Sequence, residues 1–172
     1  MRIYELTEKK NYGILAELDG IQNADIYQKE PLRAVVQSKW GSSAIDFIKL
    51  KRVVISEEMK DILISFDPKL FVRSITIIYD EDNTNAKQYW MAQPQFVFAL
   101  HESTEADKWG RITNPILRKS RIKYDPVFYV PGLYVNRWFI NLEVAEYLLR
   151  YGMSGFELKE VQLYDEIKGE SV

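Results

Sequence analysis

The sequence predicts an α+β fold: mostly antiparallel sheet packed by two or three short helices, with two similar strand–helix–strand units. Short β-branched and aromatic runs recur along the chain, as at Val53-Val54-Ile55 and Val127-Phe128-Tyr129. Two windows, 57–66 and 142–151, place apolar residues at helical spacing behind a capping residue. Turn signals such as Asp19-Gly20, Asp67-Pro68 and Pro131-Gly132 separate these segments.

In chain order, residues 2–6 read as a strand, and residues 12–18 as a second, with Tyr12, Ile14 and Ala16 on one face. Pro31 interrupts a mixed stretch, residues 32–37 form a short strand, Gly41-Ser42-Ser43 is a loop, and 44–50 is a short helix or strand. Val53–Ile55 is a strand. Ser56 then caps a helix whose first turn carries Glu57 and Glu58, where the helix dipole favours carboxylates. Met59, Ile62, Leu63 and Phe66 make its apolar stripe, and Asp67-Pro68 stops it. Residues 70–78 resume as strand, 80–85 are a polar turn, and 88–100 are strand with Pro94 at an edge or bulge. Residues 101–111 are a polar loop, 112–123 an irregular or strand segment, and 126–130 an aromatic strand.

The closing stretch, 138–161, repeats the 53–74 grammar at an offset of 85 residues. Asn141 stands in place of Ser56; Val144, Tyr147, Leu148 and Tyr151 replace Met59, Ile62, Leu63 and Phe66 as a core-facing stripe; Phe156 falls opposite Phe71. Each helix is expected to lie on a sheet whose strands come from before and after it. A chain of 172 residues is read as one domain, 1–172, with an N-terminal lobe 1–43 and a main α+β body 44–165.

Composition narrows the function. The formal net charge of −2 gives no global pull toward nucleic acid. With no cysteine, the chain has no disulfide, thiolate zinc site, iron–sulfur cluster or cysteine nucleophile. The first residues lack the apolar core of a signal peptide, and no apolar run approaches the ~20 residues of a membrane span, so a soluble cytoplasmic protein is expected. Phosphate-binding glycine motifs and metal-ligand spacings are missing, so no cofactor and no metal are expected. A hard cation could at most bind weakly at Asp80-Glu81-Asp82, which reads better as a solvated turn.

Two local groupings carry alternative chemistry. His101, the one histidine, lies beside Glu102 and near Ser103 and Thr104, the minimum for a small hydrolase with a general base and a hydroxyl nucleophile. Neighbouring side chains on an extended chain point apart, which favours a plain loop histidine. Arg118, Lys119, Arg121 and Lys123 form a basic patch near Tyr124. Strand alternation would put Lys119, Arg121 and Lys123 on one face, either to touch a nucleic-acid backbone or to guard an edge strand. The pair Glu143 and Glu146 lies at i, i+3 on a helix and reads as a solvated face.

Three segments carry a family resemblance: Val53-Val54-Ile55-Ser56-Glu57-Glu58-Met59-Lys60-Asp61-Ile62-Leu63, then Val127-Phe128-Tyr129-Val130-Pro131-Gly132, then Gly152-Met153-Ser154-Gly155-Phe156-Glu157-Leu158. Over about residues 44–161 the chain resembles an immunity-protein family of bacterial polymorphic toxin systems, departing from its usual cap of the last helix at Asn141-Leu142. The resemblance implies a non-enzymatic protein that binds and neutralises a cognate toxin by occlusion, with no catalytic residues. Such binding rests on exposed aromatic or arginine anchors. Trp40, Trp90, Trp109 and Arg111, which lie in or near polar stretches rather than on the helix stripes, are the candidates for partner binding.

Overall fold

A computed structural model describes residues 1–9, 32–35, 45–49, 52–78, 86–133 and 137–165. The expected strand 12–18, Trp40 and the polar turn containing Asp80-Glu81-Asp82 lie outside the described residues. The fold is α+β, with mostly antiparallel sheets.

The strands are β1 (Ile3–Glu8), β2 (Leu32–Val35), β3 (Phe47–Lys49), β4 (Val53–Ile55), β5 (Phe71–Ile78), β6 (Ala86–Gln93), β7 (Gln95–Phe96), β8 (Ile116–Arg118), β9 (Val127–Tyr129), β10 (Trp138–Asn141), β11 (Phe156–Glu160) and β12 (Gln162–Tyr164). The helices are α1 (Glu57–Phe66) and α2 (Leu142–Arg150). One sheet has the order β11-β1-β10-β9-β7, a second the order β2-β5-β6-β4-β3, and β12 pairs with β8 in a small parallel ribbon. The ambiguous segment 44–50 thus resolves as strand. Pro94 sits between β6 of the second sheet and β7 of the first, so the residue that cannot donate to a ladder marks the crossing between sheets. Of the first 43 residues, the two described strands join the two large sheets: β1 lies between β10 and β11, and β2 pairs with β5.

Both helices start where the caps predict. Ser56 Oγ accepts the Met59 N–H at 3.2 Å, and Asn141 Oδ1 accepts the Val144 N–H at 2.9 Å. Each cap residue's own N–H is taken by the chain entering a strand: Ser56 N–H by the Asp46 carbonyl, and Asn141 N–H by the Pro126 carbonyl.

Met59 and Leu63 of α1 and Val144, Ala145 and Leu148 of α2 are buried together with Leu6, Val127, Trp138 and Ile140 of the first sheet and Phe47, Val53, Ile55 and Ala92 of the second. This is the main core, and Phe47 joins the sheets by meeting Trp138 and Phe156 edge-on. The α2 stripe is shorter than its spacing suggests. Tyr151 caps the helix C-terminus, is 56% exposed and stacks on Tyr147 at 4.6 Å from the solvent side.

The opposite face of the first sheet, with Ile3, Phe128, Val130 and Phe139, is covered by Ala99, Leu117 and Ile122. Residues 97–125 therefore form an outer layer on that sheet, and its loops carry most of the candidate site residues.

Candidate functional site

The loop between Thr104 and Ile116 is closed at two levels. At its base Thr104 Oγ1 accepts the Ile116 N–H at 3.1 Å and donates to the Ile116 carbonyl at 3.2 Å. At its tip Asp107 Oδ1 accepts the N–H groups of Trp109 and Arg111, each at 2.8 Å, and Oδ2 accepts the Arg111 Nε–H at 3.0 Å. Backbone bonds from Gly110 N–H to the Asp107 carbonyl and from Asp107 N–H to the Arg111 carbonyl complete the turn. Gly110 has φ 74°, the left-handed conformation that glycine reaches without a Cβ penalty. The Arg111 N–H, with further help from Trp109 N–H and the guanidinium, holds the Asp107 carboxyl below its ordinary pKa.

The descending limb is tied to the sheet. Arg137 donates to the carbonyls of Ile112 at 2.7 Å and Thr113 at 3.2 Å while its guanidinium is paired with Glu5. Glu5 and Arg137 are both buried, and a buried ion pair is favoured when further hydrogen bonds take the donors it leaves over, as the two carbonyls do here. Lys159 adds a hydrogen bond to Asn114 Oδ1 at 2.6 Å.

What this fixed loop presents is Trp109, 67% exposed, with the Lys108 ammonium 4.7 Å from its ring centroid. A large ring on a backbone already ordered loses little conformational freedom when a partner covers it.

The candidate anchors separate. Trp109 and Arg111 share this one turn. Trp90 is elsewhere, inside β6 rather than in a loop, half-buried against α1. Its Nε1–H donates to Glu57, and Lys60 lies 4.3 Å over its ring, so it is committed to helix packing. Its acceptor Glu57, bonded to Lys60 and then to Trp90, is held below the ordinary carboxylate range.

His101 and Ser103 do meet: Nδ1 and Oγ are 2.6 Å apart. The same Nδ1 accepts the Ser103 backbone N–H at 3.1 Å, so the contact closes a tight turn. Tyr164 stacks on the imidazole at 3.9 Å, and Glu102 pairs with Arg118 rather than with the ring.

The basic patch is divided too. β8 ends at Arg118 and a single 3-10 turn, Lys119–Arg121, follows, so the side chains do not share one strand face. Arg118 pairs with Glu102 and Lys119 with Asp165. Arg121 and Lys123 line a groove with Phe96 and Phe98.

Among the described residues no group of three metal-ligating side chains comes together, and no helix is long and apolar enough to cross a membrane. Sequence reasoning missed Asp107 and Arg137 and read Thr104 as a possible nucleophile, whereas its hydroxyl is bonded to the Ile116 backbone and, with the other two, shapes the loop. Asp107 was readable, since Asp followed three residues later by Gly is a type I turn signature. Arg137 carried none, because its partners are distant in the chain. Compared with protein-family models and with curated proteins, the sequence matches none.

Proposed function

We propose that this chain is a cytoplasmic, non-enzymatic immunity protein that binds a cognate bacterial toxin and neutralises it by occlusion. The observation that carries the reading is the Trp109 loop: a mostly exposed indole on a turn held at tip and base, beside a side chain that can bond a carboxylate or carbonyl, Arg111. Trp and Arg are the residue types that dominate binding energy at protein interfaces. The resemblance of the segments 53–63, 127–132 and 152–158 to the immunity family supplies the class of partner.

The test is co-expression with the product of a neighbouring toxin gene. The two should co-purify and the toxin's activity should fall. Trp109→Ala should weaken the complex by roughly 30-fold or more, about 2 kcal/mol, and restore toxicity. A neighbour that neither binds nor is neutralised sinks the reading.

The His101–Ser103 contact supports a second reading, a serine hydrolase. Covalent labelling of Ser103 by a fluorophosphonate, lost in Ser103→Ala and in His101→Ala, would establish it. Absence of labelling removes it.

A further inference from the structure

We propose that the free edge of β7 is a second protein-binding surface, taking an extended acidic segment that carries aromatic or aliphatic side chains and adds as a further strand to the first sheet. It stands apart from the Trp109 loop and does not depend on a toxin being the partner.

Among the described residues, β7 is the outermost strand of its sheet and pairs only with β9. The Val97 N–H points inward, donating to the Tyr129 carbonyl at 2.9 Å. Strand alternation turns the peptide N–H of Phe96 toward the outside, where an added strand would meet it, and a tight turn from Ala99 N–H to the Val97 carbonyl at 2.8 Å then presents Phe98 beyond the end of β7.

The opposite edge of the same sheet, β11, exposes Glu157, Lys159 and Glu160, charges that discourage pairing. The β7 edge instead exposes Phe96 (53%) and Phe98 (71%), packed edge-on at 5.2 Å. An apolar strand edge left open to water is a liability unless a partner covers it.

Charge identifies the partner. The groove beside these rings, about 520 Å³, is lined by Arg121 and Lys123, with Asp125 as its acid. Arg118 and Lys119, just upstream, are neutralised by Glu102 and Asp165. Arg121 and Lys123 have no ion-pair partner among the described residues. Two unspent cations next to two exposed rings select a segment with Asp or Glu flanking its apolar side chains. A single-stranded nucleic acid fits less well, since Phe96 and Phe98 are crossed at 71° and offer no pair of parallel faces for successive bases.

The experiment is fluorescence anisotropy with the full chain and three labelled probes: a short peptide alternating Glu with Val and Phe, the same peptide with Lys for Glu, and an oligo-dT. The acidic peptide should bind, and the other two should bind at least tenfold more weakly, about one unit of log Kd. Arg121→Glu/Lys123→Glu and Phe96→Ser/Phe98→Ser should each weaken the acidic peptide by about tenfold or more. N-methylation of alternate peptide bonds in the probe should have a like effect, which a purely side-chain contact would not show. Trp109→Ala should leave peptide binding unchanged, so failure here is separable from failure of toxin binding. No binding, binding insensitive to both double variants, or tighter binding of oligo-dT would overturn the proposal. So would a concentration-dependent dimer abolished by Phe96→Ser/Phe98→Ser without peptide binding, which would assign the edge to a second copy of the chain.

Discussion

The unit β3-β4-α1-β5 with β6, and the unit β9-β10-α2-β11 with β1, solve one packing problem twice. In each, the strands before and after the helix flank a central antiparallel strand: β4 and β5 flank β6, and β10 and β11 flank β1. The registers coincide. Val53, Val54 and Ile55 face Ala92, Met91 and Trp90, while Trp138, Phe139 and Ile140 face Leu6, Glu5 and Tyr4. Across the other side Ile55 faces Phe47 and Ile140 faces Val127. What differs is the source and chemistry of the central strand. β6 follows its unit directly, whereas β1 comes from the start of the described chain, so that its contact between Glu5 and Arg137 spans 132 residues. And where the first unit buries Met91, the second buries Glu5. A sheet position is therefore specified by its neighbours and not by chain continuity. A strand recruited from far away also gains a directional contact that an apolar residue cannot supply.

The largest effect should come from making the second unit resemble the first. Arg137→Met leaves the Glu5 carboxylate buried without its partner and frees the Ile112 and Thr113 carbonyls, at a cost of about 3–5 kcal/mol. Glu5→Met/Arg137→Met copies the apolar choice of Met91 and should recover a large part of that loss in urea denaturation. In both variants the Trp109 loop loses the Arg137 tie to the sheet, so amide exchange there should rise even where stability is regained. A double variant as unstable as the single one would show that the ion pair is worth more than its apolar equivalent.

The turns after the two helices differ next. Because Val72 faces Ala92 and Leu158 faces Leu6, the equivalent of Phe156 is Leu70, not Phe71. Phe156 and Leu70 are both buried, while Phe71 is 38% exposed, as a one-residue slip on a strand requires. The same alignment sets Gly155 against Lys69. Gly155 has φ 92°, and a Cβ there would lie 2.5 Å from the Phe47 carbonyl oxygen. Gly155→Ala should cost about 2–4 kcal/mol through strain and overpacking. Lys69→Ala should stay within about 0.5 kcal/mol. Thermal melts of the two variants test the asymmetry directly.

Much of each unit was legible locally. Ser56 and Asn141 act as caps within three residues of their targets, and Asp67-Pro68 and Gly152 stop the helices where backbone chemistry demands. The slip after α2 was hidden because Gly152 and Gly155 permit a turn one residue longer than its counterpart, which an ungapped offset cannot show. The place of β1 was hidden for another reason: nothing in residues 2–6 encodes a partner more than a hundred positions away. The site divides in the same way. The Asp107 turn is local and readable, but the pinch at Thr104 and Ile116, the Arg137 tie and the groove joining Phe96 to Arg121 arise from tertiary packing.

The caps offer a finer comparison. Asn141→Ala removes one acceptor for Val144 N–H and should cost about 1 kcal/mol. Ser56 does more, since its hydroxyl also donates to Asp46 Oδ1 at 2.8 Å, and Asp46 Oδ2 in turn accepts Ser154 N–H and Oγ–H, each at 2.8 Å. Ser56→Ala should therefore cost more than Asn141→Ala, up to about 2 kcal/mol. Asp46→Ala should loosen both units at once, because it joins the cap of α1 to the turn after α2. Equal losses for the two cap variants would mean the Asp46 link adds nothing.

The smallest effect separates the central strands by pH. Pro94 occupies in the first unit the position that Glu8 holds in the second, one residue beyond the Gln93–Thr7 equivalence. Burial pushes the Glu8 carboxyl above its ordinary pKa despite the Lys49 backbone N–H and ammonium, and burial likewise lowers Lys49 despite Glu5 and Glu8 nearby. Both charged forms are disfavoured, so burial outweighs the attraction between them. A carboxyl raised on folding contributes stability that is whole below the unfolded pKa of about 4.3 and is lost as pH rises through the folded value. Wild type should thus lose stability relative to Glu8→Gln as pH rises above about 4, by less than the cap effects. A difference that stays flat as pH rises would mean that burial does not disfavour the Glu8 carboxylate, and one that grows toward acid would place it in a favourable pair; either result overturns this contrast.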